Sequence, residues 1–203
     1  MNTKEKIMHI ALDLFSVRGF SAVSVHEIAK EVGIKAPSLY KHYKSKQDIF
    51  EAILLQMQKG YQQEAQGFAL SGVDPNVDVK QYIMMSEVDL LQLGKQLFHY
   101  FLKDEFVVKV RKMITLEQFH NKDLADFYSL QYFHAPIEYQ ATLFQTMMDS
   151  KIFRQEDPKV MALHFYAPLF LLLTLCDRNS DQEQDAFELL EAHIKQFSRL
   201  YKN

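Results

Sequence analysis

An all-α architecture is what this sequence implies, and three observations carry the implication. Apolar residues recur at three- and four-residue spacing along most of the 203 positions. Glycine and proline are scarce, at 6 and 5, while the good helix formers Gln, Leu, Met and Lys are common. The periodic stretches open on capping residues: Ser24 with Glu27, Ser45 with Asp48, Asp157 before Pro158, and Ser180 with Glu183. About nine helices are expected.

Residues 4–17 predict the first helix. Ile7, Ile10, Ala11, Leu14 and Phe15 form one stripe, Gly19 ends it and Phe20 folds back. Thr3, Lys4 and Lys6 at its start can meet a DNA backbone or simply fray. The stretch 24–46, SVHEIAKEVGIKAPSLYKHYKSK, then reads as helix, tight turn and second short helix. Ile28, Ala29 and Val32 make its core stripe, Gly33 suits a left-handed turn residue, and Pro37 suits a first helical turn. Leu39 and Tyr43 are four apart and face inward together. That leaves Ser38, Tyr40, Lys41 and His42 outward, with Lys35 before them and Lys44 and Lys46 after. Four lysines and no acid lie between Gly33 and Lys46. A short helix with small, aromatic and basic outward residues fits a major groove and its flanking phosphates.

These residues carry a resemblance. Phe15 and Gly19–Phe20 precede a Ser-x-x-Glu-Ile-Ala segment, followed by Val32-Gly33-Ile34, Leu39-Tyr40-x-His42-Tyr43 and Lys46. Together they resemble the DNA-binding domain of the TetR/AcrR family of transcriptional regulators over about residues 5–55. The resemblance implies an N-terminal three-helix helix-turn-helix domain, residues 1–48, and a helical ligand-binding and dimerisation domain, residues 49–203. A fourth helix, 46–67, bridges the two and transmits motion in that family. It also implies a homodimer on a near-palindromic double-stranded operator, released by a small apolar or amphipathic effector, most often as a repressor. Ser38, Tyr40, Lys41 and His42 would read the groove, and Lys35, Lys44 and Lys46 would hold phosphates.

Further along, residues 68–78 are rich in turn chemistry, and Asp74-Pro75 opens a helix expected to run to about Leu102. Lys103–Glu105 restarts a helix to about Phe119, and His120-Asn121 breaks it. Residues 122–150 read as one long helix carrying Pro136, where a kink or break is expected. Residues 158–177 are apolar nearly all round and contain Pro168, so they need cover on more than one side. Residues 181–201 carry a packing seam at Phe187, Leu190, Ile194, Phe197 and Tyr201. These last two helices are the expected dimer interface. An apolar effector cavity is expected among Phe98, Phe101, Met113, Tyr132, Tyr139, Met147, His164 and Phe165.

Charge is uneven. Residues 1–50 carry eight Lys/Arg against five Asp/Glu, and the remainder 15 against 21. A basic head on an acidic body suits a head that meets phosphate. The single cysteine, Cys176, reads as a buried structural thiol. The apolar run Val160–Cys176 reads as short for a bilayer span, and MNTKEK lacks a signal-peptide core, so a cytoplasmic protein without membrane contact is expected. Glu117-x-x-His120 has metal-motif spacing without the second pair such sites need. No catalytic constellation, metal site or cofactor motif is present, which points away from an enzyme. The alternative to a regulator is a helical small-molecule-binding or adaptor protein that keeps the fold without sequence-specific DNA binding.

Overall fold

The computed structural model of the chain describes residues 1–203. Eleven α-helices follow one another: α1 Thr3–Arg18, α2 Val25–Val32, α3 Ala36–Leu39, α4 Lys46–Gln66, α5 Pro75–Met84, α6 Glu87–Lys103, α7 Glu105–Glu117, α8 Lys122–Ser129, α9 Ala135–Asp149, α10 Pro158–Arg178 and α11 Glu183–Tyr201. The all-α expectation holds. The only β-type pairing is a single bridge between Phe153 and Lys202.

The extra helices arise where local chemistry divides a periodic stretch. The expected helix from Pro75 to Leu102 is two. Ser86 takes an extended backbone, accepts the Asp89 N–H, and receives the Asp89 carboxylate on its own N–H, a full capping box that starts α6. The expected helix 122–150 is interrupted as Pro136 requires. A π-helical turn, Leu130–His134, separates α8 from α9 and leaves Pro136 in the first turn of α9, where a missing N–H costs nothing. At the last helix the expected Ser180–Glu183 cap is displaced by one residue. Asn179 caps a short 3₁₀ turn, Ser180–Gln182, and α11 follows.

The helices gather into two compact units that are not contiguous in sequence: Met1–Gly60 with Glu105–Ser129, and Tyr61–Asp104 with Leu130–Asn203. In the first unit α1 packs on α2 and α7, α2 on α3, and α7 on α8. Its fully buried side chains include Ile7, Phe15, Ile28, Leu39, Ile49, Ile53, Met113 and Ile114. Edge-to-face contacts join Phe15, Phe20, Phe50 and Phe127 at 5.2, 5.3 and 6.3 Å.

In the second unit α9 packs on α5 and α10, and α11 on α6 and α10. One core joins Val79, Phe144, Met147, Met161 and Phe197; a second joins Phe98, Leu102, Leu172, Cys176 and Leu190. The Cys176 thiol is buried, and burial pushes its pKa upward. At 21 residues, α10 is long and apolar enough by composition to cross a membrane, contrary to the expectation from the run Val160–Cys176.

Candidate nucleic-acid interface

The interface is built from local signals that close on one another. Ser24 accepts the Glu27 N–H at 3.2 Å, and Glu27 accepts the Ser24 N–H at 2.8 Å. Arg18 adds an ion pair to Glu27 at 2.8 Å. The two Ser24 donors and Arg18 hold the exposed Glu27 carboxyl at about 2, well below its ordinary range.

At the far end of α2, Gly33 adopts φ +83° and ψ +29°. Its N–H donates to the Lys30 carbonyl at 3.1 Å, and the Ile34 N–H donates to the Ala29 carbonyl at 2.9 Å, the paired bonds of a Schellman ending. Nothing lies within 4 Å of where a Gly33 Cβ would sit, so backbone conformation rather than space selects glycine.

Lys35 is extended, and Pro37 falls in the first turn of α3. The helix is one turn long. It continues as tight turns in which His42 N–H donates to Leu39 O at 2.9 Å and Tyr43 N–H to the same carbonyl at 3.1 Å. Leu39 and Tyr43 are buried, as their spacing predicts. Lys35, Tyr40, Lys41, His42 and Lys44 are exposed, with Tyr40 presenting half its surface, and Ser38 is half-buried.

An open cleft of about 480 Å³ is lined by Lys4, Tyr40, Lys41, His42, Tyr43 and Lys44 together with Asp48, Glu51 and Ala52. Lys4 lies 5.2 Å from the Tyr43 ring centroid, and the Tyr43 hydroxyl donates to the Lys4 carbonyl at 3.3 Å. Asp48, whose acid would oppose phosphate here, accepts the Lys44 N–H and the Ser45 hydroxyl at 2.9 and 3.0 Å and so opens α4.

Lys46 departs from its expected phosphate role. Its ammonium donates to the carbonyls of Phe20 and Val23 at 2.7 and 2.8 Å and lies 4.3 Å from the Phe20 ring centroid. Burial pulls its pKa down, partly offset by Glu117 and Glu27. It fastens the turn between α1 and α2 instead of facing outward.

The expected effector lining does not gather in one place. Phe98 and Phe101 belong to the core of α6, α10 and α11, and Tyr139, Met147 and Phe165 to that of α9, α10 and α11. Tyr132 meets Phe170 at 5.9 Å. His164 is exposed and hydrogen-bonded to the Tyr201 hydroxyl at 2.6 Å. Met113 is fully buried in the other unit. Aromatic content alone marked these residues, and aromatic content cannot distinguish cavity from core.

Two carboxylates, Asp78 and Glu117, are buried, which nothing in the sequence pattern foretold. Asp78 accepts from Ser71 N–H and O–H, Gly72 N–H and the Tyr139 hydroxyl at 2.5, 3.0, 2.9 and 2.7 Å. Burial, the neighbouring Tyr82 and that bond push the Tyr139 phenol upward. Ser71 and Gly72 lie only seven and six residues before Asp78, but Tyr139 is 61 away, and no spacing rule links it to that acid.

The first unit thus holds a helix-turn-helix that leaves Tyr40, Lys41 and His42 exposed, in an all-α chain. Residues 7–53 match the model for bacterial regulatory proteins of the tetR family. Over that stretch the chain is similar to the TetR/AcrR family of transcriptional regulators. It is 43% identical over 51 residues to the HTH-type transcriptional regulator AcrR of Shigella flexneri, covering 25% of this chain and 24% of that one. It is 46% identical over 48 residues to the biofilm operon icaADBC negative transcriptional regulator IcaR of Staphylococcus aureus, covering 24% and 26%. The matched stretch therefore spans about a quarter of either relative. Over the whole chain the fold is similar to SmeT, the repressor of the Stenotrophomonas maltophilia multidrug efflux pump SmeDEF. The TM-score is 0.67 and the identity 17%, over 100% of this chain and 92% of that one. It is also similar to the flavonoid-responsive regulator FrrA, at TM-score 0.65 and 23% identity over 98% and 97%.

Proposed function

We propose that the chain is a dimeric, ligand-responsive transcriptional regulator, acting as a repressor that a small apolar or amphipathic effector releases from a near-palindromic operator. The observation that carries the reading is the outward presentation of Tyr40, Lys41 and His42 while Leu39 and Tyr43 are buried beneath them. Ser38, Tyr40, Lys41 and His42 read base edges; Lys35 and Lys44, with Lys4, hold phosphates. Lys46 serves by fastening the turn beneath them. Residues 1–48 supply DNA reading, and 49–203 supply ligand binding and dimerisation, joined by α4.

Dimerisation is supported by apolar side chains left exposed on α10 and α11: Val160, Leu163, Leu171 and Leu175 on one, Leu189 and Leu200 on the other. An apolar face of this kind on two adjacent long helices suits a two-fold contact between copies. It also gives the apolar helix α10 a protein partner, in keeping with a cytoplasmic protein. An effector is supported by two proteins of similar fold, SmeT in complex with triclosan and FrrA, which is flavonoid-responsive. Ligand and operator oppose one another with equal coupling.

The division of roles is testable by fluorescence anisotropy on operator and random DNA. Tyr40→Ala lowers operator affinity by about tenfold with little change on random DNA, the cost of one base-reading contact. Lys44→Ala weakens both DNAs alike and flattens the salt slope by about one phosphate's share. Identical behaviour of the two variants on both DNAs would contradict the assignment.

A further inference from the structure

Glu117 closes the last turn of α7, where a helix disfavours an anion, and it is buried. One carboxylate oxygen accepts the Ser21 N–H at 2.9 Å and the other accepts the Ser21 hydroxyl at 2.7 Å. Gly19, at φ +85°, makes room: a Cβ there would stand 2.4 Å from the Glu117 Oε1. The same turn is gripped from its other polarity by Lys46, through the Phe20 and Val23 carbonyls at 2.7 and 2.8 Å. The turn Gly19–Val23 thus gives N–H and O–H to α7 and its carbonyls to α4. The next residue, Ser24, is the cap that starts α2.

We propose that Glu117 is a positioning residue for operator reading: by fixing Ser21 it sets the entry of α2 and, through α2, the angle at which α3 is presented. This rests on the reading of the chain as a sequence-specific DNA-binding protein. Phosphate contacts tolerate a small rotation of the head, because attraction between charges is only weakly directional. Hydrogen bonds to base edges do not tolerate it. Loosening the turn therefore erodes discrimination before it erodes general DNA affinity.

The test compares full-length Glu117→Ala, Glu117→Gln and Ser21→Ala with the parent, on an operator selected from random DNA and on random duplex, well below each variant's melting temperature. Glu117→Ala lowers the ratio of operator to random affinity about tenfold, as loss of a charge-assisted pair of hydrogen bonds implies, and leaves the salt slope on random DNA unchanged. Ser21→Ala gives a smaller loss of about threefold, the worth of one ordinary hydrogen bond. Glu117→Gln restores most of the ratio, since its amide can accept the Ser21 N–H and donate to the Ser21 oxygen. A lowered melting temperature with an unchanged ratio in Glu117→Ala would reduce the residue to a structural one and overturn the proposal. Hydrogen exchange decides the matter independently of any operator. Glu117→Ala speeds amide exchange through residues 19–43 and leaves α10 and α11 as they were. If the parent selects no operator, the regulator reading fails by itself. Unchanged protection of 19–43 would then, as in any case, sink the role of Glu117.

Discussion

Single residues carry the reading head, and their energetics are testable one at a time. Glu27 is held at about 2 by Ser24 and Arg18. A depressed carboxylate stabilises the folded state above its unfolded value and loses that contribution as pH falls through its folded value. Glu27→Gln should therefore melt below the parent at neutral pH, with the gap closing as pH drops from about 4.5 toward 2. A gap independent of pH would contradict the assignment. Ser24, Glu27 and Gly33 were legible in the sequence because their partners lie within a few positions. Lys46 was misread because its carbonyls lie 26 and 23 residues away. Glu117 drew notice only for its spacing to His120, while its true partner, Ser21, is 96 residues distant.

Among elements, the boundary between α2 and α3 depends on a single backbone conformation. Gly33→Ala should cost about 1–2 kcal/mol of stability through left-handed strain alone, since no neighbour obstructs the added carbon. Calorimetry of the pair checks it, and equal melting would mean that the turn relaxes. The element types followed from periodicity, and breaks at Gly33, Asp104 and Asn121 were readable from local composition. The break before α6 was not, because apolar spacing runs on past it and only Ser86 with Asp89 divides it. Pro136 announced an interruption. That it takes the form of a π turn, Leu130–His134, was not readable from the sequence pattern.

For the whole molecule, the apolar faces of α10 and α11 make a quantitative demand. Leu171 leaves 57% of its surface exposed in one copy. If the proposed dimer forms through this face, Leu171→Glu should shift the protein toward monomer in sedimentation while leaving its helical circular dichroism intact, because the charge falls on the contact and not in a core. A dimer that survives would move the interface elsewhere. Architecture was legible at this scale from the spread of apolar periods and charge. The effector lining was not: Phe98 and Phe101 lie in one core, Tyr139, Met147 and Phe165 in another, and His164 is exposed.

The most direct measurement is selection of bound sequences from random duplex DNA by the full-length protein, followed by footprinting at two salt concentrations. A regulator with two heads should enrich a near-palindrome whose half-sites lie about one helical turn apart, protected as a unit and weakened steeply by salt. Enrichment of no sequence, with equal salt-sensitive binding to every duplex, would contradict the claim that α3 reads DNA.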